Sequence, residues 1–264
     1  MFKKKINFLL IAVVVMAMAL PVSARREAIE PNLPEQAGIY TVPGRPDLKL
    51  RVFVYQEKQD KPGKPGPIAP EEICSLSDPN SYAEIASAGW VLPSSWAYRL
   101  NLNSVPTTVG SNNLVAITNN AFNEWLGAIN NKVNIQAGNA TTVNKAQFDG
   151  QNIITWGRAS GTALAVTYIW YNNQGVATEI DTIMNNKFTW YWSNPNTWGN
   201  QLCAYSGVYD AQNILTHELG HTFGLDDHYT SEYANNTMYG YGAKTETKKD
   251  TLAAGDINGV SKLY

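Results

Sequence analysis

Three histidines occur in the 264-residue chain, and all lie close together at His217, His221 and His228. They belong to the stretch D-A-Q-N-I-L-T-H-E-L-G-H-T-F-G-L-D-D-H, which runs from Asp210 to His228. On an α-helix of about 3.6 residues per turn, positions four apart stand one above the other. His217 and His221 can therefore hold one metal ion, most naturally zinc, through two imidazole nitrogens. Glu218 is rotated by about 100° from His217, within reach of a metal-activated water without itself binding the metal. The chemistry on offer is hydrolysis. The competing reading of so short a pattern is a solvated helix face, but a chain that keeps its histidines for this one stretch argues against it.

A helix must present these groups, and the sequence supplies its ends. Asp210 is suited to cap the N-terminus, residues 211–223 form the body, and Gly224 can take the left-handed conformation that stops it. Leu215, Leu219 and Thr222 are expected to face the core, with Ile214, His217 and His221 on the neighbouring face. A chain that ends its helix at Gly224 can turn back toward the metal, bringing Asp227 or His228 into range as a third ligand.

Strand patterns precede this helix. Residues 48–55 (L-K-L-R-V-F-V-Y), 96–102 (W-A-Y-R-L-N-L), 133–136, 153–156 and 164–171 (L-A-V-T-Y-I-W-Y) read as strands. The turn N-N-Q-G at residues 172–175 leads into a further strand at 176–184, so this pair predicts a hairpin. Leu114, Ile117, Ala121, Trp125 and Leu126 are spaced for an amphipathic helix over residues 113–129. The fold class is α+β. The aromatic stretch at residues 188–198 (F-T-W-Y-W-S-N-P-N-T-W) is expected to cover the core; the alternative is a stacking platform for substrate.

The ends of the chain bound its setting. Lys3, Lys4 and Lys5 precede an apolar run of thirteen residues, Phe8 to Leu20, and Val22-Ser23-Ala24 offers a cleavage site. Thirteen residues fall short of the roughly twenty that span a bilayer. Residues 1–24 thus read as a signal peptide, and the mature protein as secreted or placed in the cell envelope, with no membrane span. Residues 25–75 read as a propeptide or N-terminal extension ending in the Pro/Gly-rich run K-P-G-K-P-G-P at 61–67. Residues 76–264 form the main domain. The net charge of -2 provides no basic surface for nucleic acid, and a monomer is expected. Cys74 and Cys203 are expected to pair in an oxidising compartment; the competing role for Cys74 is a thiolate that keeps the metal site latent. Asn139 and Asn235 stand in Asn-x-Thr triplets, candidate glycosylation acceptors.

From His217 through Gly224 the sequence resembles the metzincin clan of zinc proteases, in its matrixin-like branch, whose pattern is H-E-x-x-H-x-x-G-x-x-H with a methionine turn. One departure stands out, because position 227 is Asp and the next histidine is His228. The resemblance implies Asp227 as third ligand, with His228 as its competitor. It also implies that Met238, in N-T-M-Y-G-Y, forms the floor beneath the metal, and that residues 252–264 close the domain as a helix with Ile257, Val260 and Leu263 on the core. The expected architecture is a twisted mixed sheet with an active-site helix, a second long helix and a C-terminal helix. A second zinc site built from histidines is excluded by count, while oxygen donors leave calcium open.

The implied activity is endopeptidase cleavage of protein or peptide substrates, with Glu218 as general base and Tyr239 and Tyr241 as candidate assisting groups. By the same resemblance, substrate would add a strand to a sheet edge at residues 176–184. The reading from another class is an exported surface-binding protein whose zinc site is structural or vestigial.

Overall fold

The computed structural model describes residues 33–58, 70–159, 161–197 and 201–264. The leader at residues 1–24, the Pro/Gly-rich run at 61–67 and Trp198 lie outside the described residues. In chain order the strands are β1 Gly38–Val42, β2 Arg45–Glu57, β3 Glu72–Cys74, β4 Ser95–Leu100, β5 Asn134–Ala137, β6 Ile153–Gly157, β7 Ala163–Asn172, β8 Ala177–Asn185, β9 Trp190–Tyr191, β10 Cys203–Tyr205, β11 Tyr209–Asp210 and β12 Tyr241–Gly242. The helices are α1 Asn113–Ala128, α2 Ala211–Thr222 and α3 Ala254–Ser261. None of them is long and apolar enough to cross a membrane.

The main sheet has the order β1-β2-β7-β8-β6-β4-β5, with β12 joined to β2. β4, β5, β6 and β8 run parallel, whereas β7 is antiparallel to β8 and β2 is antiparallel to β7. This mixed sheet with three helices is the expected α+β arrangement. The hairpin at residues 172–175 is present, but its second strand is not an edge. β8 lies between β7 and β6, and all but one of its nine residues are buried. Its burial pattern is that of a central strand, so residues 176–184 are not the edge that was expected; the strands at the two ends of the sheet are β1 and β5.

The boundary expected near residues 60–75 does not divide the sheet, because β1 and β2 precede it and β7 follows it. Pro43-Gly44 joins β1 to β2, and Gly44 takes the positive φ of 71° that such a tight turn demands. Alternation along β2 sends Phe53 and Tyr55 into the core shared with α1 and α2, while Leu50, Val52 and Val54 pack on the opposite face with Val166 and Trp170. Cys74 and Cys203 stand opposite each other in the β3/β10 ladder and are joined as a disulfide.

α2 is buried beyond the core face expected for Leu215, Leu219 and Thr222, since every residue from Ala211 to Thr222 is buried. The sheet covers one side and α1 another. Trp125 of α1 donates its indole N–H to the Thr216 carbonyl at 2.8 Å. The docking surface of the C-terminal helix is also narrower than expected: Val260 is fully buried, but Ile257 is 39% exposed. α3 has only two turns, and Ile257 falls on its outer side. Of the aromatic stretch, Trp190 is fully buried against Trp156 and Tyr209, while Phe188 and Trp192 are half-buried and pack against the same core.

Close packing around α2 is sharpest at Gly220. A Cβ there would stand 2.1 Å from the Met238 sulfur and 2.8 Å from Trp125. Gly220→Ala should therefore destabilise by about 1–3 kcal/mol or more, lowering the thermal midpoint by about 2–4 °C per kcal/mol; calorimetry of the full chain checks this.

Candidate active site

The site is assembled on α2 and on the chain that turns back from it. Asp210 caps the helix as expected, its Oδ1 accepting the backbone N–H groups of Gln212 and Asn213 at 2.8 and 2.9 Å. Its other oxygen accepts Ser193 N–H. Burial nevertheless lifts the Asp210 carboxyl to about 6. At the far end, Gly224 adopts φ 93°, a conformation open to glycine at little cost. A Cβ there would also collide with the Trp90 carbonyl at 2.1 Å. The reversal at Gly224 brings Asp227 back over the helix.

His217 Nε2 and His221 Nε2 lie 3.2 and 3.5 Å from Asp227 Oδ1. All three atoms are buried, and none has a hydrogen-bond partner. The other imidazole nitrogens are engaged, His217 Nδ1 with the Thr237 carbonyl at 2.7 Å and His221 Nδ1 with the Leu225 carbonyl at 2.9 Å. A carbonyl can only accept, so each Nδ1 carries the proton and each neutral ring turns a lone pair inward. Ligands at about 2.0–2.2 Å around a tetrahedral zinc ion stand about 3.3–3.6 Å apart. The donor set and its spacing fit that ion. Burial lowers His217 to about 4; burial also acts to lower His221, but the Asp227 and Glu218 carboxylates and the Leu225 carbonyl together raise it. Burial acts to raise Asp227 as well, but the two imidazoles hold its carboxyl far below the usual carboxylate range.

Asp256 on α3 fixes the floor of the site. Its carboxylate accepts the N–H groups of Thr237, Met238 and Ala253 and the Asn236 amide, at 2.9 to 3.3 Å. Thr237 is thereby held with its carbonyl toward His217, and Met238 is fully buried beneath α2. His228 is elsewhere. Its Nε2 accepts the Ala86 N–H at 3.2 Å, and its ring stacks on Tyr233 at 4.0 Å. One residue of register sends the Asp227 and His228 side chains to opposite sides of an extended segment.

Glu218 is fully buried, close to His221 and to Thr167 of β7. Its Oε2 accepts the Thr167 hydroxyl, while Oε1 has no hydrogen-bond partner. Burial lifts its carboxyl to about 7. Four other neighbours carry no motif that would have marked them in the sequence. Thr167 lies in the middle of β7, and Tyr229 donates its hydroxyl to Asp227 Oδ2 at 3.0 Å. Phe53 stacks on His221 at 3.7 Å, and Tyr55 on His217 at 3.8 Å. Tyr239 and Tyr241 are half-buried and pack on each other, with Tyr241 also against Tyr229.

No curated protein matches the chain. The matrixin family model matches residues 90–264, from the strand-helix core through α2 and the methionine turn to the last residue. Since that match spans more than half of the sequence, the chain belongs to the matrixin family of zinc metalloendopeptidases.

Proposed function

We propose that this protein is an exported endopeptidase in which His217, His221 and Asp227 hold zinc and Glu218 is the general base. The observation that carries the reading is the convergence of three buried acceptor atoms that nothing else in the protein satisfies. An orphaned buried acceptor costs about 1–3 kcal/mol, and a cation relieves all three at once. Export is supported by the basic and apolar leader, Lys3 to Leu20.

The chemistry a zinc ion supplies in such a site is Lewis-acid polarisation of a carbonyl and of water. The protein supplies the proton handling. Glu218 is tethered through Oε2 to Thr167, leaving Oε1 free to take a proton from the attacking water. A carboxyl lifted to about 7 by burial is well matched to that task and to passing the proton on to the leaving amine. His217 and His221 are kept in the one tautomer that can ligate, by Thr237 and Leu225. The Tyr229 hydroxyl occupies Asp227 Oδ2 and leaves Oδ1 for the metal. Protein or peptide is the substrate class of the family.

Glu218→Gln should retain the fold and one zinc per chain while hydrolysis of a peptide library falls about 10²- to 10⁴-fold. Undiminished cleavage would sink the assignment of the base. Asp227→Ala should lose zinc, measured by metal analysis after dialysis, whereas His228→Ala should keep it; the reverse pattern would exchange their roles.

A further inference from the structure

Threonine is an ordinary strand residue, and side-chain hydroxyls mostly bond the main chain or water. Thr178, on β8 itself, does this by donating to the Trp170 carbonyl at 3.0 Å. Thr167 and Thr182 spend their hydroxyls differently. They are register partners on β7 and β8, flanked by the pair Ala165 and Met184 on one side and the pair Ile169 and Ile180 on the other. Those four residues belong to the core shared with α1 and α2, so the two hydroxyls interrupt an apolar stripe. Thr167 is 0% and Thr182 1% exposed. Valine would fill either place without burying a polar group.

The direction of the two bonds follows from counting protons. Thr167 Oγ1 lies 3.0 Å from Thr182 Oγ1 and donates to Glu218 Oε2. A hydroxyl has one proton to give. Thr167 gives its own to the carboxylate, so the proton between the two hydroxyls belongs to Thr182. The chain therefore runs one way, from Thr182 through Thr167 to Oε2, and each donation strengthens the next. A proton placed on Oε2 would require both bonds to reverse.

We infer that Thr182 is a positioning residue for the general base: acting through Thr167, it fixes Oε2 as the anchored oxygen and reserves Oε1 for the proton that passes from the attacking water to the leaving amine. The inference rests on the peptidase reading of Glu218. Oε1 is the oxygen without a hydrogen-bond partner, as that role requires. Anchoring matters because a carboxylate free to turn about its last torsion presents its oxygens in many directions, and a misplacement of about 1 Å at reacting atoms can cost about 10²-fold in rate. Two hydroxyls in a stripe that otherwise favours apolar side chains are thus accounted for by the carboxylate at the end of their chain.

The test uses the full zinc-loaded chain and three readouts: metal content, hydrolysis of a peptide library, and an isotope-edited infrared difference spectrum against Glu218→Gln, which isolates the Glu218 carboxyl bands. Thr182→Val keeps the branched shape and removes the donor. It should retain one zinc per chain, shift the Glu218 bands, and lower kcat about fivefold or more with KM changed by less than about twofold. Thr182→Ser, which returns a hydroxyl, should recover most of both changes. In a Thr167→Val background the link is already cut, so Thr182→Val should lower kcat further by less than about twofold and leave the bands where they are. Equal losses in the two backgrounds overturn the inference, as does a folded Thr182→Val chain that loses its zinc or leaves kcat and the bands unmoved. If Thr182→Val does not fold, Thr182→Ala is compared with Thr182→Ser under the same criteria. Bands that follow Thr182 only when Thr167 is present, with no hydrolysis in any form, leave the positioning role standing and remove the peptidase reading.

Discussion

A helix buried on every side must satisfy its polar side chains from the protein or from a bound ion. α2 carries Gln212, Asn213, Thr216, His217, Glu218 and His221 in that position. Much of the surrounding structure answers this constraint. Gln212 accepts the Asn120 amide and the Trp192 indole, and Asn213 accepts the Lys249 N–H. Thr237 and Leu225 take one nitrogen of each histidine. Among the side-chain atoms left without a partner, which also include Asn213 Nδ2, Thr216 Oγ1 and Glu218 Oε1, His217 Nε2, His221 Nε2 and Asp227 Oδ1 converge on one point, and they are donors of the kind that zinc prefers. Burial is thus both the cost of the arrangement and the source of its chemistry, since low-dielectric surroundings lift Glu218 toward neutrality and strengthen every charge left in place.

Control passes outward from His217, His221 and Asp227. Asp256 binds three backbone N–H groups and an amide, and so fixes the methionine turn. The turn presents the Thr237 carbonyl to His217 and brings Met238 against Gly220, where only a glycine leaves room. A carboxylate on the last helix therefore sets the orientation of His217 on another. Such outer contacts commonly govern metal affinity as strongly as the ligands themselves.

Much of this was legible in residue order. The cap at Asp210, the stop at Gly224 and the body of α2 follow from local rules that act within one or two turns. Strand positions on β2, β4, β6 and β7 were likewise visible from alternation or unbroken apolar runs. The edge was not. Whether residues 177–185 lie at the rim or in the middle depends on which distant strands pair with them, and periodicity within the strand carries no such information. Ile257 was misplaced because α3 is short and only one narrow side of it reaches the core. Phe53, Tyr55, Thr167 and Tyr229 went unmarked because aromatic and hydroxyl residues are ordinary strand and loop residues until something stands beside them.

By itself the sequence determined the chemistry: two imidazoles and a carboxylate at helical spacing, a glycine to reverse the chain, and two candidates for the next ligand. Spacing along a helix is geometry already, since the backbone repeat fixes which side chains share a face. Tertiary structure decided which of the neighbours Asp227 and His228 points inward, because the sheet-like bridge from His228 to Tyr239 sets the facing of that extended segment. It also decided that β2, from the proline-rich N-terminal stretch, lies across the site. That placement comes from backbone pairing between residues more than a hundred positions apart, and such pairing leaves no local trace.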